Sequence, residues 1–422
     1  MSERVYLCID LKSFYASVEC AERRLDAMTT NLIVADLTRS DKTICLAITP
    51  PMKAMGISSR CRVFEIPKNV EYIAATPRMQ LYIDYAAKIY KIYLRYISKD
   101  DIHVYSIDEA FMDITDYLPL YNMSAKELGK KITKDIYEEL HIRATCGIGT
   151  NLYLTKIALD ITAKHSPDFI GELDEESYKK TLWNHTPLTD FWRVGKKTMM
   201  RLNSYGIFTM KDITEADEDF LYKLFGIDAE LLIDHAWGRE SVTIEDIKKY
   251  KSDTNSISQG QVLPRDYSFE EGKLIVKEMM DILCLDMVSK HLVSKSFTLH
   301  IGYAGYIEEE AAHGTISLLD ETNADVVLIP AISKLYEDIL IKEYPIRRMY
   351  VTANCVRVED YQQLSIFDTT EKEELKEKNR KIQNAVLEVK SRYGKNAILK
   401  GMNLEEAGTT MERNNQIGGH RA

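Results

Sequence analysis

The sequence predicts a multidomain α+β protein, and three observations carry that reading. Apolar strand-like runs alternate with helix-period segments in residues 4–164 and again in 253–358. Between them, from Ser166 on, lie short helical pieces interrupted by Gly195, Gly206, Gly226 and Gly238. The 422 residues are also more than one compact core accommodates and are enough for about three.

Each element has a local justification. Residues 4–10 (RVYLCID) run apolar and end in a carboxylate, as a buried strand does when it delivers a side chain to a site. Phe14, Tyr15, Val18 and Glu19 then follow a helical period. Strand patterns recur at 31–36 and 43–48, and a Pro50-Pro51 break precedes a helix at 52–55 closed by Gly56. Leu81, Tyr85, Ile89 and Ile92 mark a long amphipathic helix over 79–97. Two short strands meet at Asp108-Glu109. A helix at 124–140, a strand at 142–149 and a helix at 151–164 complete the first unit. Residues 243–252, polar and charged, read as a linker. The second α+β unit carries helices at 269–290 and 331–343. A charged helix is expected at 371–393, before a polar terminus.

Composition excludes several classes. Hydrophobic residues at 45% and charged residues at 28% exclude a largely disordered chain. The N-terminus lacks an apolar leader, and no apolar run approaches the ~18 residues of a membrane span. Seven scattered cysteines, never in CxxC spacing, argue against a disulfide framework or zinc site and for a reducing cytoplasm. The net charge of −10 leans against a nucleic-acid binder. The charge is uneven, however: residues 251–360 hold 11 basic and 18 acidic side chains, so motifs must identify the partner.

Three carboxylates stand out: Asp10 at a strand end, and Asp108-Glu109 between two strands. Hard divalent cations take oxygen ligands, and a two-metal site gathers carboxylates from separate elements. On spacing alone the commoner outcome is another one, with Asp10 capping the next helix and Asp108-Glu109 in a solvated turn.

The words around them separate the two readings. Asp10-Leu11-Lys12-Ser13-Phe14-Tyr15-Ala16-Ser17-Val18-Glu19 and Tyr105-Ser106-Ile107-Asp108-Glu109-Ala110-Phe111-Met112-Asp113 resemble the two catalytic motifs of Y-family DNA polymerases, the lesion-bypass enzymes. The resemblance covers the chain up to its last sixty residues, which look like tails of the UmuC-like branch of Gram-positive bacteria. It implies a right-hand polymerase. The palm would be 1–11 with 78–165, the fingers 12–77, the helical thumb 166–242 and the linker 243–252. The little finger would be 253–358, and a tail 359–422. The implied function is template-directed, low-fidelity DNA synthesis past damage, in repair and the SOS response. A catalytically weak, clamp-docked regulator at stalled forks is the alternative.

The resemblance also assigns residues. Asp10, Asp108, Glu109 and the main-chain carbonyl of Leu11 would hold two Mg²⁺ ions. Tyr15 would be the steric gate under the sugar of the incoming dNTP, with Phe14 beside it. Pro50 and Lys53 stand where many members carry a Tyr and an Arg, which replaces a bidentate fork with a point charge. Lys53 and Lys164 are the expected triphosphate ligands, although one extra residue before Lys164 leaves its register open. Phe191 to Lys197 resembles a helix-hairpin-helix turn, with Gly195 and Lys196 facing a DNA phosphate. Arg265, Lys295, Arg347 and Arg348 are the candidate phosphate contacts of an otherwise acidic little finger. Gln363-Leu364-Ser365-Ile366-Phe367 resembles the peptide by which bacterial polymerases bind the β sliding clamp. Gln363, Leu364, Ile366 and Phe367 would make the contact, and such a tether raises local concentration. The implied partners are primer–template DNA, dNTPs and the clamp, for a monomer with room for accessory subunits. The Gly418-Gly419-His420 stretch carries no chemistry in this reading.

Overall fold

The computed structural model describes residues 4–38, 42–252, 255–359 and 370–422, with side chains from 377 in the last segment. The peptide Gln363–Phe367 lies outside the described residues. The chain divides into two compact units, 1–250 and 251–422.

The strands of the first unit are, in chain order, β1 (Tyr6–Leu11), β2 (Leu32–Val34), β3 (Ala47–Ile48), β4 (Ile73–Ala75), β5 (Ile102–Val104), β6 (Glu109–Asp113), β7 (Ala144–Gly149) and β8 (Ile170–Leu173). One sheet has the order β5-β6-β1-β7-β8, with β1 in the centre and antiparallel to both neighbours. Tyr6, Leu7, Cys8, Ile9 and Leu11 are all buried, which is why this strand reads as a continuous apolar run. Residues 32–75 form a small separate sheet, β3-β2-β4, around Ile33, Ile48, Met52 and Ile57. The prolines here begin a helix: Pro50–Ala54 has Pro at its first turn, where a missing N–H costs no hydrogen bond.

Two glycines on β7 decide how close the next helix comes. A Cβ on Gly147 would lie 2.3 Å from the Thr155 carbonyl oxygen, and one on Gly149 would lie 2.4 Å from the Thr155 nitrogen. The helix Leu152–Ile157 therefore lies directly against the strand, and a π-turn, Ala158–Thr162, continues it. The helices of residues 175–237 share a core with this segment, including Tyr153, Tyr178, Phe191 and Leu221.

The expected linker is a correction. Ile244–Lys249 is a helix with a Thr243–Asp246 capping box. Ile244 is buried with Tyr6, Cys8 and Phe111, and Lys248 Nζ donates to the Asp100 carbonyl at 2.7 Å. Its polar composition concealed an apolar pair at helical spacing, Ile244 and Ile247.

The second unit is a four-stranded antiparallel sheet built from β9 (Ile257–Tyr267), β10 (Leu292–Tyr303), β11 (Ala312–Thr322) and β12 (Ile346–Asn354), in the order β11-β10-β12-β9. The helices Phe269–Ser289 and Asp325–Ile339 cover one face over Phe297, Leu299, Met349 and Val351. The second helix begins earlier than expected and contains Pro330 instead of starting after it.

The expected tail belongs to this unit. A helix spans Thr370–Tyr393, and the residues after it fold back onto the helix Phe269–Ser289. The buried Glu278 accepts from Asn403 Nδ2 at 2.9 Å and from the Thr409 N–H at 2.8 Å. Lys400 pairs with Asp281 at 2.6 Å and with Asp325. No helix among the described residues is long and apolar enough to cross a membrane.

Candidate active site

Strand register brings the acidic motifs together. Asp10 lies opposite Glu109 in the β1–β6 ladder, and the Leu11 N–H donates to the Asp108 carbonyl at 2.9 Å. The Tyr105 and Ser106 N–H groups both donate to the Glu109 carbonyl at 3.0 Å, closing a turn that presents Asp108. Ser106 Oγ donates to Asp108 Oδ1 at 2.6 Å. Asp10 is not the cap of the next helix, whose N-cap is Ser13, and Asp108 sits in a partly exposed turn tied to β1.

Lysines surround these carboxylates. Lys156 Nζ is 2.7 Å from Glu109 and 3.1 Å from Asp160, with only 8% of its side chain exposed. Lys164 Nζ is 2.7 Å from Asp160 and 3.4 Å from Asp10. The π-turn Ala158–Thr162 lies between the two lysines, and its wider i→i+5 winding continues the helix from which both reach their carboxylates. A cavity of about 300 Å³ opens beside Lys164, lined by Asp160, His165, His185 and Asp190.

The electrostatics reflect this crowding. Burial pushes Asp10 up to about 6; Lys164 opposes the rise, and the charges of Asp108 and Glu109 add to it. Burial works against the charge of Lys156, but Glu109 and Asp160 outweigh it and raise its pKa. Lys53 is held below its ordinary value by partial burial. Asp10 and Asp108 pull it up while Lys164 pushes it down, so it stands in the field of the site. Lys12 is lowered in the same way, by burial and by Lys53 and Lys164. A cluster of mutually repelling lysines beside carboxylates suits an anionic ligand accompanied by cations.

The donor set fits a hard divalent cation by its chemistry, as three carboxylates and a backbone carbonyl. It is not a preformed cage: among the described residues no three His, Cys, Asp or Glu side chains converge as a metal site. Glu109 is turned to Lys156, Asp108 to Ser106 and Asp10 toward Lys164. The ammonium groups hold positions of positive charge from which a cation would release the carboxylates.

Beside the acidic motif, the buried Phe14 and half-buried Tyr15 open the helix Phe14–Glu22. Tyr15 stacks on Tyr82 at 4.4 Å and 16°. The Tyr82 hydroxyl donates to Glu19 Oε1 at 2.8 Å, and the fully buried Glu19 also takes a two-point contact from Arg78 at 2.9 and 3.0 Å. Burial and the Asp108 charge raise the Tyr15 pKa, so the ring is a neutral phenol.

Gly195 is the N-cap of the helix Lys196–Asn203, with open space around its Cα. The first arm of the expected helix-hairpin-helix is a single 3₁₀ turn, Leu188–Asp190. The left-handed residue is Arg193, at φ 72°, whereas Gly195 is extended at φ −83°. In the second unit Arg265 is paired with Glu271 at 2.6 Å, and Arg347 with Asp266 at 3.4 Å. Lys295 is exposed at the β10 bulge. Arg348 stands on the open face of the sheet. That face is made of cross-strand hydroxyl pairs, Ser258–Thr352 and Thr298–Thr315, each at 2.8 Å, with Tyr350 over Gly260. Glu270, Glu271, Glu278 and Asp281 lie on the covering helix instead, so the net acidity belongs largely to the opposite layer.

Lys156 and Tyr82 are the residues that motif reading passes over. The lysine could have been found from the Gly147-x-Gly149 pair, which brings the next helix onto the strand. The tyrosine has no local signal.

A five-stranded α+β sheet with paired carboxylates on its central strands, followed by a helical segment and a second α+β unit, defines a polymerase catalytic architecture. Residues 9–160 match the impB/mucB/samB family, and residues 254–366 match the C-terminal domain of that family. UvrX of Bacillus subtilis (strain 168) is 30% identical over 425 residues, covering 99% of this chain and 97% of UvrX. DNA polymerase IV 2 of the same organism is also 30% identical, over 100% of this chain and 99% of its own length. Among solved structures, the Y-family DNA polymerase chimera Dbh-Dpo4(243-245)-Dbh shares the fold with a TM-score of 0.67 at 19% identity. The match covers 84% of this chain and 99% of the chimera. The chain belongs to this family, the UmuC/DinB-like Y family of DNA polymerases.

Proposed function

We propose that the chain extends a primer 3′ end on a DNA template past damaged bases, at low fidelity, by a two-metal phosphoryl transfer. The observation that carries this reading is the register of Asp10 against Glu109, with Asp108 held beside them and lysines gathered around. Asp10, Asp108, Glu109 and the Leu11 carbonyl would hold two Mg²⁺ ions. When bound, these supply charge neutralisation at the attacking and leaving oxygens. Lys53 and Lys164 bind and orient the triphosphate as point charges. Lys156 holds Glu109 in place, ready to exchange one cationic partner for another. Tyr15 lies beneath the sugar and excludes a 2′-hydroxyl by contact. The segments 12–77, 166–242 and 253–358 serve as fingers, thumb and little finger, and the hydroxyl face around Arg348 suits close approach to a backbone.

Primer extension on undamaged and abasic templates with Mg²⁺ tests this reading. Extension through the abasic site is expected, and a purified chain that extends neither template contradicts it. Tyr15→Ala is expected to raise ribonucleotide incorporation by roughly 10²-fold, a large effect for removal of one steric contact. Unchanged sugar selectivity would take Tyr15 out of the gate.

The segment Gln363–Phe367 supports docking to the sliding clamp, through Leu364, Ile366 and Phe367 in an apolar pocket. Leu364→Ala with Phe367→Ala should leave extension by the chain alone intact and abolish its stimulation by the β clamp. Equal stimulation of both chains would exclude the peptide.

A further inference from the structure

We propose that Trp192 is a positioning residue that ties the turn ahead of the helix Lys196–Asn203 to the catalytic Asp108-Glu109 turn, so that DNA held at one sets the geometry of the other. The inference rests on the polymerase reading above and adds a link that neither motif contains.

Trp192 is fixed from behind and reaches forward. Its ring lies parallel to His235 at 6.2 Å and 16°, and His235 stacks on the buried Tyr153 at 4.0 Å. Glu240, 3.1 Å from His235 Nε2, anchors that column. In front, Trp192 Nε1 donates to the Tyr105 hydroxyl at 3.2 Å, with the rings edge to face at 6.0 Å. Tyr105 is the first residue of the closed turn, and its neighbour Ser106 holds the Asp108 carboxylate. Lys156, the partner of Glu109, lies 5.8 Å over the same Tyr105 ring. Moving Tyr105 therefore moves the supports of both carboxylates.

The other end of the link is strained. Arg193 has φ 72°, a conformation that costs a non-glycine residue free energy and persists only where the surroundings enforce it. Its guanidinium lies 5.0 Å over the Trp192 ring, two residues before Gly195 caps the helix N-terminus. A phosphate bound at that N-terminus pulls on a segment with one strained residue between it and the indole.

The test uses the full chain with Trp192→Phe, which keeps a ring and removes the N–H, with Tyr105→Phe, and with the double variant. Each single change should lower kcat for single-nucleotide extension about 3- to 10-fold, the range for one hydrogen bond. Each should also raise the Mg²⁺ concentration for half-maximal rate, with the dNTP KM and thermal midpoint unchanged. The double variant should be no worse than either single one. Unaltered kcat and Mg²⁺ midpoint in a folded Trp192→Phe chain, or additive losses in the double variant, would reduce the contact to packing. A second readout is independent of catalysis: primer–template duplex should change tryptophan fluorescence in the parent chain. The change should be absent in Trp192→Phe and diminished in Tyr105→Phe; no Trp192-dependent change overturns the link. Failure of the parent chain to extend, with the fluorescence response present, would count against the polymerase reading alone.

Discussion

Asp108→Ala should abolish primer extension, by at least about 10³-fold, while the fold and duplex binding survive. The asymmetry follows from what each atom of Asp108 does. Its carbonyl accepts the Leu11 N–H and so helps hold β1 to the turn, but alanine keeps that bond. Among the described residues its carboxylate has one hydrogen-bond partner, the Ser106 hydroxyl, which can turn to water. The cost therefore falls almost entirely on the chemistry. Parallel measurement of extension and of duplex affinity checks this, and retained extension would remove Asp108 from the metal site. The same site predicts an acid limit. Asp10 is raised to about 6 from an ordinary 3.8, so it takes up a proton as pH falls through that value and loses its capacity as a ligand. A bound cation favours the ionised form, so the acid limb of the pH–rate profile should move down as Mg²⁺ is raised.

Glu19→Ala should lower the thermal midpoint of the first unit by about 6–12 °C, equivalent to about 3 kcal/mol. Glu19 is fully buried and receives hydrogen bonds from Arg78, Arg23 and Tyr82. Both arginines are partly exposed and can turn to water, which places the loss at the low end for a broken buried pair. The Tyr82 hydroxyl is buried and loses the acceptor of its proton. Burial alone would raise the Glu19 pKa, but the arginine and tyrosine hydrogen bonds outweigh it and hold it below 4.5. The stabilisation is thus complete above the unfolded value of 4.5 and declines as pH falls through the folded one. The difference between parent and variant should shrink in acid, and calorimetry at neutral and low pH reads it directly. Because Tyr82 lies under Tyr15, the milder Glu19→Gln should also loosen sugar selection; a variant with unchanged stability would show the cluster to be dispensable.

The strand ends that carry Asp10 and Glu109 were legible in their apolar runs, and the motif words rather than the spacing singled out the three carboxylates. Their partners were not. Lys156 gains its role only when Gly147 and Gly149 let a helix lie on β7, a tertiary fact. The reach of Lys164 depends on a π-turn whose energy differs too little from an α-turn to leave a mark in the residues. Residues 243–252 look polar because only one side of their helix is buried. The terminal segment looks like a free tail because its anchors, Asn403, Thr409 and Lys400, are polar residues that hold carboxylates of another helix.

Those anchors also change what the end of the chain is. The Glu359 N–H donates to the His291 carbonyl at 2.8 Å and its carboxylate pairs with Arg380 at 3.0 Å, which fastens the helix Thr370–Tyr393 to the second unit from another side. Cutting the chain short of Lys400 would therefore uncover the buried Glu278 carboxylate and unsettle the second unit, as removing a keystone does, rather than trim an ornament.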